Sequence, residues 1–323
     1  MAHSVSPLAP RAVPHLPVID GVELAIAETG IRYKNRPDVL VASLAPGTSV
    51  AGCLTLSKSR SAPVDWCAQS LKAGKARAVV INAGNANAFT GKAGVATVTA
   101  VARAAAQHLK CKPAEIFQAS TGVIGEPLDA SPIVSALPGL IAAARGDCWA
   151  DAARAIMTTD TFAKVATATV KYAGKTVTIN GIAKGSGMIA PDMATMLCCV
   201  TTDAKLTAGQ AQRLLTAAAN KSFNNISVEG HTSTNDTMLL LANGCSGGSE
   251  LTDDEESQFA EHLEAMCIEL AKQIPADGEG STHLIEVSVQ GAQSDADARQ
   301  ISHAVASSNL VKTAVHGGDP NWG

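Results

Sequence analysis

Residues Gly181 to Asp203 read GIAKGSGMIAPDMATMLCCVTTD, and the fold turns on how this stretch divides. A glycine-punctuated turn, Lys184-Gly185-Ser186-Gly187, comes first. Pro191-Asp192 then breaks the chain, and Met193-Ala194-Thr195-Met196-Leu197 runs into an apolar strand. Local propensity reads Thr195 as an ordinary strand threonine behind a loop. A sharper reading makes it a nucleophile. A threonine that follows a small residue and a turn, at the start of a buried strand, can attack the carbonyl before it. Once that bond is cut, the freed α-amine, with an ordinary pKa of about 7.7 to 8.0, can act as base for the same hydroxyl. No separate histidine is then needed, and the histidines of this chain form no evident triad.

Outward from this stretch, short strands and helices alternate irregularly. Towards the N-terminus the pattern predicts strands at Val22 to Ala27, Val39 to Ser43, Gly52 to Leu56 and Lys75 to Asn82. The last runs into the small-residue loop Ala83-Gly84-Asn85-Ala86-Asn87-Ala88, where backbone can approach a ligand closely. A helix is expected from Gly94 to Leu109, stopped near Pro113, then a strand from Ile116 to Ser120 ending in the tight turn Thr121 to Pro127. Helical patches follow at Ile133 to Arg145 and Trp149 to Met157. Val165 to Lys171 and Lys175 to Ile179 form a predicted hairpin. Towards the C-terminus come a helix at Gln210 to Lys221, a Ser/Asn/Thr-rich stretch to Asp236, and an apolar run from Thr237 to Ala242. Thr252-Asp253-Asp254-Glu255-Glu256 reads as an N-cap and dipole-matched first turn of a helix reaching Ile274, with no catalytic role. A strand at Leu284 to Val289 and a helix at Asp295 to Val305 complete an α/β (α+β) pattern with much antiparallel pairing.

Composition narrows the function. The 323 residues are 46% hydrophobic and 17% charged, enough for a sizeable core and about two domains. Aromatics are only 3%, so that core is built from Ala, Val, Leu and Ile, and a stacking platform for single-stranded nucleic acid is excluded. A net charge of -4 and a pI near 6.1 give no footprint for polyanions, so nucleic acid is not an expected partner. Met1 to Pro17 carries four prolines and reads as neither signal peptide nor anchor. No run reaches the roughly 18 apolar residues of a spanning helix, so a cytoplasmic protein without membrane partners is expected. The eight cysteines show no CxxC spacing and read as small buried hydrophobes rather than a disulfide framework or zinc site. HExxH and GxxxxGK[ST] are absent, and in Lys184-Gly-Ser-Gly the lysine stands on the wrong side of the glycine for a phosphate loop.

The segment KGSGMIAPDMATML resembles the self-cleavage segment of the ornithine acetyltransferases, also called glutamate N-acetyltransferases, of arginine biosynthesis. The likeness continues in order through IRYKNRPDV at Ile31, SAPVDWC at Ser61, VVINAGNANAFTGKAG at Val79 and STGVIGEPLD at Ser120. It extends through TTDTFAK at Thr158, SFNNISVEGHTSTNDT at Ser222, DGEGSTHLIEV at Asp277 and the final DPNWG.

The resemblance implies a four-layer αββα sandwich with a smaller α/β portion. It places a main body at residues 1–208, a second part at 209–283, and a remnant of a C-terminal region at 284–323. It implies cleavage between Ala194 and Thr195 into an α-chain, 1–194, and a β-chain from 195, assembled as a heterotetramer. Thr195 would be the nucleophile, and Thr121 and Gly122 would supply a hydroxyl and a backbone N–H to an oxyanion hole. Lys184 would meet the substrate α-carboxylate, Thr158 would add a hydroxyl, and Glu279 would meet the ornithine amine. Without the resemblance, Thr121-Gly122 and DGEG are turns and Lys184 is a solvated turn lysine. The implied reaction carries acetyl from N-acetylornithine to glutamate through an acyl-threonine, with no metal or other cofactor. Whether acetyl-CoA also donates is left open by these motifs. The rival readings are an amidase or aminopeptidase of the related self-processing fold, and an inactive truncated chain. Family members usually continue past DPNWG to an Asn and a Thr that contact substrate, so weak transfer is the expectation for this 323-residue form.

Overall fold

The computed structural model describes residues 4–172, 175–190 and 196–320. Among the described residues, nine strands fall into two sheets. The first has the order β1-β2-β4-β5, from Val22–Ala27 (β1), Val39–Leu44 (β2), Ala78–Asn85 (β4) and Ile116–Val123 (β5). The second has the order β3-β9-β8-β7-β6, from Ser49–Leu54 (β3), Lys164–Tyr172 (β6), Lys175–Lys184 (β7), Leu197–Thr202 (β8) and Thr237–Ala242 (β9). Pairing is antiparallel except for β4 with β5 and β8 with β9.

Period-two alternation sends each strand's apolar residues to two different cores. Leu24, Leu40, Val79, Ile81 and Phe117 of the first sheet meet Val165, Ile182, Leu197, Cys199, Leu239 and Leu241 of the second, with Trp149 and Ile156 from the region of α4 (Trp149–Ala155). The opposite face of the first sheet, through Val39, Val41 and Val80, packs on α2 (Gly91–Leu109) and α3 (Ser131–Ala143). That of the second, through Val177, Ile179, Val200 and Leu240, packs on α5 (Ala208–Lys221) and α6 (Asp253–Ala276). The layers are therefore αββα, as expected. Burial pushes the Cys67, Cys199 and Cys267 thiols up to about 12, which fits their place as core residues.

Edges and ends are closed by side chains the sequence supplies locally. α1 (Ala62–Ser70) covers the outer edge of β5: Trp66 Nε1 donates to the Ile116 carbonyl at 2.8 Å and Cys67 Sγ to that of Gln118 at 3.1 Å. Thr207 and Thr252 begin α5 and α6 with capping boxes, each Thr hydroxyl accepting from the N3 amide, a device that stabilises a helix by about 1 kcal/mol. The acidic run 253–256 has the N-terminal role assigned to it.

Two expectations change. Leu284 to Val289 alternates between exposed and half-buried residues, but no described strand pairs with it, so it is not a strand. β9 lies between β3 and β8, and α5 and α6 cover the sheet that β6, β7 and β8 build, so residues on both sides of 208 contribute to one core. What stands apart is the C-terminal stretch holding α7 (Asp295–Ala306) and α8 (Asn309–Gly317), neither of which has a buried residue. Lys184, read from propensity as a solvated turn residue, is the last residue of β7 and only 2% exposed.

Candidate active site

One end of the sandwich gathers the C-terminal ends of β4, β5 and β7 with the N-terminal ends of β6, β8 and β9. Lys184 pairs in register with Leu197, and Leu197 with Thr237. From the facing sheet, β5 brings Thr121. Lys184 Nζ donates to Thr121 Oγ1 at 3.1 Å, so the contact joins the two sheets. An ammonium has only donors, hence the Thr121 oxygen must accept and its own hydrogen is free to point elsewhere. Thr121 and Lys184 form a buried floor, while Gly122 next to them is exposed at the strand end.

Gly122 has no room for a side chain. Its φ is +131°, and a Cβ there would lie 2.2 Å from the carbonyl carbon of Gly84. The stretch Ala83 to Ala88, read as a loop to which sequence reasoning could give no step, begins as the end of β4, and its Ala83-Gly84 pairs directly with Thr121-Gly122 of β5. Asparagines hold it there. Asn82 Nδ2 donates to the Asn85 carbonyl at 2.8 Å and Asn82 Oδ1 accepts from Ser120 Oγ at 2.6 Å. Asn235 Nδ2 donates to the carbonyls of Ala86 (2.7 Å) and Ser120 (2.8 Å), tying the loop to the residue before Thr121. Asn235 was missed; its only signal is its place in the polar run Ser233-Thr234-Asn235-Asp236 just before an apolar strand.

Below Lys184 lies a charge cluster that sequence reasoning also missed. Lys164, fully buried, forms ion pairs with Asp160 (2.8 Å) and Asp277 (2.5 Å). Asp160 further accepts from the amides of Gly185 (2.7 Å) and Thr158 (3.0 Å). Burial alone would raise the Asp160 carboxyl; the Lys164 and Lys184 ammoniums and the Gly185 N–H outweigh it and hold it at about 2. Burial pushes Lys184 below the usual lysine range although Asp160, Asp236 and Glu279 favour its charged form. Thr158 is half-buried and joined to the Lys184 turn through Asp160; Glu279 is exposed, its carboxylate against Gly187, where a Cβ would come within 2.8 Å of Oε1. The structure thus brings together Thr121, Gly122, Thr158, Lys184 and Glu279.

Ala194 and Thr195, and with them the expected cleavage bond, lie outside the described residues. Their chain neighbour Met196 is fixed: its N–H donates to Asp236 Oδ1 at 2.9 Å and its carbonyl accepts from Thr237 N. Asp236 is buried, its Oδ2 has no hydrogen-bond partner among the described residues, and burial raises its carboxyl well above the usual range. On the other side of the segment, Ile189 N–H donates to Glu229 Oε1 at 2.8 Å. A cavity of about 770 Å³ lies away from this floor, between α6 and the C-terminal stretch; Glu279 lines it, while Thr121, Thr158 and Lys184 do not. No group of His, Cys, Asp and Glu among the described residues is arranged to hold a metal ion, and no helix there is long and apolar enough to cross a membrane.

By its layers and this polar end, the chain is an αββα protein with an internal charge network under an exposed glycine backbone. It belongs to the ArgJ family, whose model matches residues 23–323. It is 52% identical to the arginine biosynthesis bifunctional protein ArgJ of Bradyrhizobium diazoefficiens and 51% identical to that of Mesorhizobium japonicum. Each alignment takes in all of this chain and 80% of the relative. Among solved structures, the ArgJ protein of Bacillus halodurans is 34% identical, with a TM-score of 0.49, 54% of this chain and 92% of that one covered. An ornithine acetyltransferase from Mycobacterium tuberculosis, complexed with ornithine, is 31% identical with a TM-score of 0.47, covering 53% and 92%.

Proposed function

We propose that this chain is an N-acyltransferase that moves acetyl from N-acetylornithine to glutamate through an ester on Thr195. The relatives' role in arginine biosynthesis supports the reaction class, and the Lys184–Thr121 contact beside Gly122 carries the site assignment. In the first half-reaction the Thr195 hydroxyl attacks the acetyl carbonyl, giving up its proton to the threonine α-amine. The oxygen that becomes negative is held by the Thr121 hydroxyl, whose hydrogen the Lys184 contact leaves free, and by the Gly122 N–H. Collapse breaks the C–N bond, the departing amine takes the proton, and ornithine leaves. The glutamate amine then attacks the ester at the same donors, which restores the Thr195 hydroxyl and yields N-acetylglutamate.

Lys184 has three N–H donors. One is committed to Thr121, and the others suit the α-carboxylate of the substrate, with Thr158 alongside. Glu279 suits the side-chain ammonium of ornithine. The α-amine of Thr195 arises by the same chemistry turned on the chain itself: the hydroxyl attacks the Ala194 carbonyl, the peptide C–N bond breaks, and water hydrolyses the ester to leave chains of 1–194 and 195–323. Two of each assemble into a heterotetramer in this reading, working in the cytoplasm without a cofactor. The main body of the fold bears the site, and residues 284–323 form a separate C-terminal part. Ornithine release from N-acetylornithine that depends on added glutamate tests the reaction. Release without glutamate, with acetate as product, would instead make the chain an amidase.

A further inference from the structure

Resting on that reading, we propose that the buried Asp160–Lys164–Asp277 triad sets the substrate chain length by fixing the distance between Lys184 and Glu279. In this view Lys164 is a positioning residue, which touches no substrate. The two groups that would grip the ends of a diamino acid belong to different segments: Lys184 ends β7, and Glu279 follows the C-terminus of α6. Both segments are bonded to the triad. Asp160 accepts from Gly185 N–H at 2.7 Å, immediately after Lys184. Asp277, two residues before Glu279, takes Lys164 Nζ on one carboxylate oxygen, and its carbonyl accepts from Ser186 Oγ at 2.6 Å. Thr161 adds its N–H (2.9 Å) and hydroxyl (2.5 Å) to the same Asp277 carboxylate. The turn 184–187 is thereby held at Gly185 by the Asp160 carboxylate and at Ser186 by the main-chain carbonyl of Asp277, with Lys164 bridging the two acids, and Gly187 leaves space for the Glu279 carboxylate.

A solvated ion pair could not impose such spacing, because exposed pairs exchange partners with water. This one has both acids and the lysine fully buried. Buried ion pairs are weak devices for stability compared with apolar packing, while their geometry is exacting. A site that reads a carboxylate at one end and an ammonium at the other discriminates by the span between its two charges, and one methylene is worth about 10- to 200-fold where the span is rigid.

The test compares N-acetylornithine with its one-carbon-longer and one-carbon-shorter homologues, Nα-acetyl-lysine and Nα-acetyl-2,4-diaminobutyrate, as acetyl donors to glutamate. Binding of free ornithine, lysine and 2,4-diaminobutyrate by calorimetry runs beside it. Ser186→Ala removes one uncharged link and Asp277→Asn removes a charge while keeping shape; Lys164→Met is the severe case. Each variant is first checked for native circular dichroism. The expected result is that Ser186→Ala and Asp277→Asn narrow the kcat/KM preference for N-acetylornithine by about 10-fold, mainly through KM, and narrow the binding preference in parallel. Folded variants that keep the wild-type preference, whether or not overall rate falls, overturn the proposal while leaving the transferase reading intact. If Lys164→Met fails to fold, the two milder variants still decide. A wild-type chain that neither binds ornithine nor transfers acetyl removes the transferase reading and this proposal with it.

Discussion

Lys184 Nζ donates a hydrogen bond to Thr121 Oγ1 across 3.1 Å, so the last residue of β7 orients a hydroxyl on the facing sheet. Because the ammonium cannot accept, the Thr121 hydrogen is left free to donate elsewhere, on the residue next to the exposed Gly122. A preorganised donor of this kind stabilises an oxyanion without reorganising at the moment of reaction.

Thr121→Ala is expected to lower kcat by about 10²- to 10³-fold, as the loss of one oxyanion donor typically does. Thr121→Ser keeps the hydroxyl and should recover most of the rate. Steady-state kinetics on variants with native circular dichroism checks both, and an alanine variant with near-normal turnover would reduce Thr121 to a turn residue.

The Lys184 ammonium exists below its pKa and is lost as pH rises through it. Burial lowers that pKa, so the loss begins at lower pH than for an ordinary lysine near about 10.4. Neutral Lys184 cannot form an ion pair with a substrate carboxylate, and, being able to accept as well as donate, no longer obliges Thr121 to be the acceptor. KM for N-acetylornithine should therefore rise, and kcat fall, along an alkaline limb that starts below the usual lysine range. Lys184→Met should be poor at every pH and lack that limb; a pH profile in which it keeps the limb would assign the titration elsewhere.

Self-cleavage is the next expectation. The purified protein should run on a denaturing gel as two pieces with threonine at the new N-terminus, and Thr195→Ala should remain whole and inactive. N-terminal sequencing of the smaller band decides the position. A Thr195→Ala chain still cut after Ala194 would end the nucleophile assignment.

Gly122→Ala should be severely disruptive. The residue sits at φ +131°, and the added methyl would collide with backbone of Gly84 and Asn85, which no rotamer change can relieve. Either insoluble protein or a folded chain with displaced loop and turnover down at least as far as in Thr121→Ala is expected. Normal expression with normal kcat would contradict the close pairing of the β4 and β5 ends at Gly84 and Gly122.

Acid stability follows from Asp160. Its carboxyl is held at about 2, below the ordinary 3.8, so its contribution is fully present above about pH 4 and is lost as pH falls through about 2. Urea unfolding at neutral pH, pH 4 and pH 2.5 should show the wild type losing stability over that window. Asp160→Asn, which has no carboxyl to titrate, should be less stable at neutral pH and lose less on acidification.

Most strands and helices were legible because their apolar residues repeat with the period of the element that buries them: Val22–Ala27 and Thr237–Ala242 match their expected bounds. Leu284 to Val289 has the same alternation yet forms no ladder, since a strand needs a partner and its pattern cannot say whether one is present. The site divides along the same line. The motif around Lys184 and the turn at Thr121 were visible as segments, whereas Lys164 inside TTDTFAK looked like any polar residue of a loop. Its burial depends on Asp277, 113 residues away.

The sequence by itself determined most strands and helices through their periodicity, and membership of the ArgJ family, with the αββα class that the resemblance implies, through its ordered motifs, because both are properties of neighbouring residues. Only the tertiary structure decided that Lys184 is buried against Thr121, that Gly122 closes on Gly84, and that Asp160, Lys164 and Asp277 share one dry cluster. The physical reason is that a buried charge is tolerated only where partners from distant segments converge on it, and that convergence is created by folding, not written at any one position in the chain.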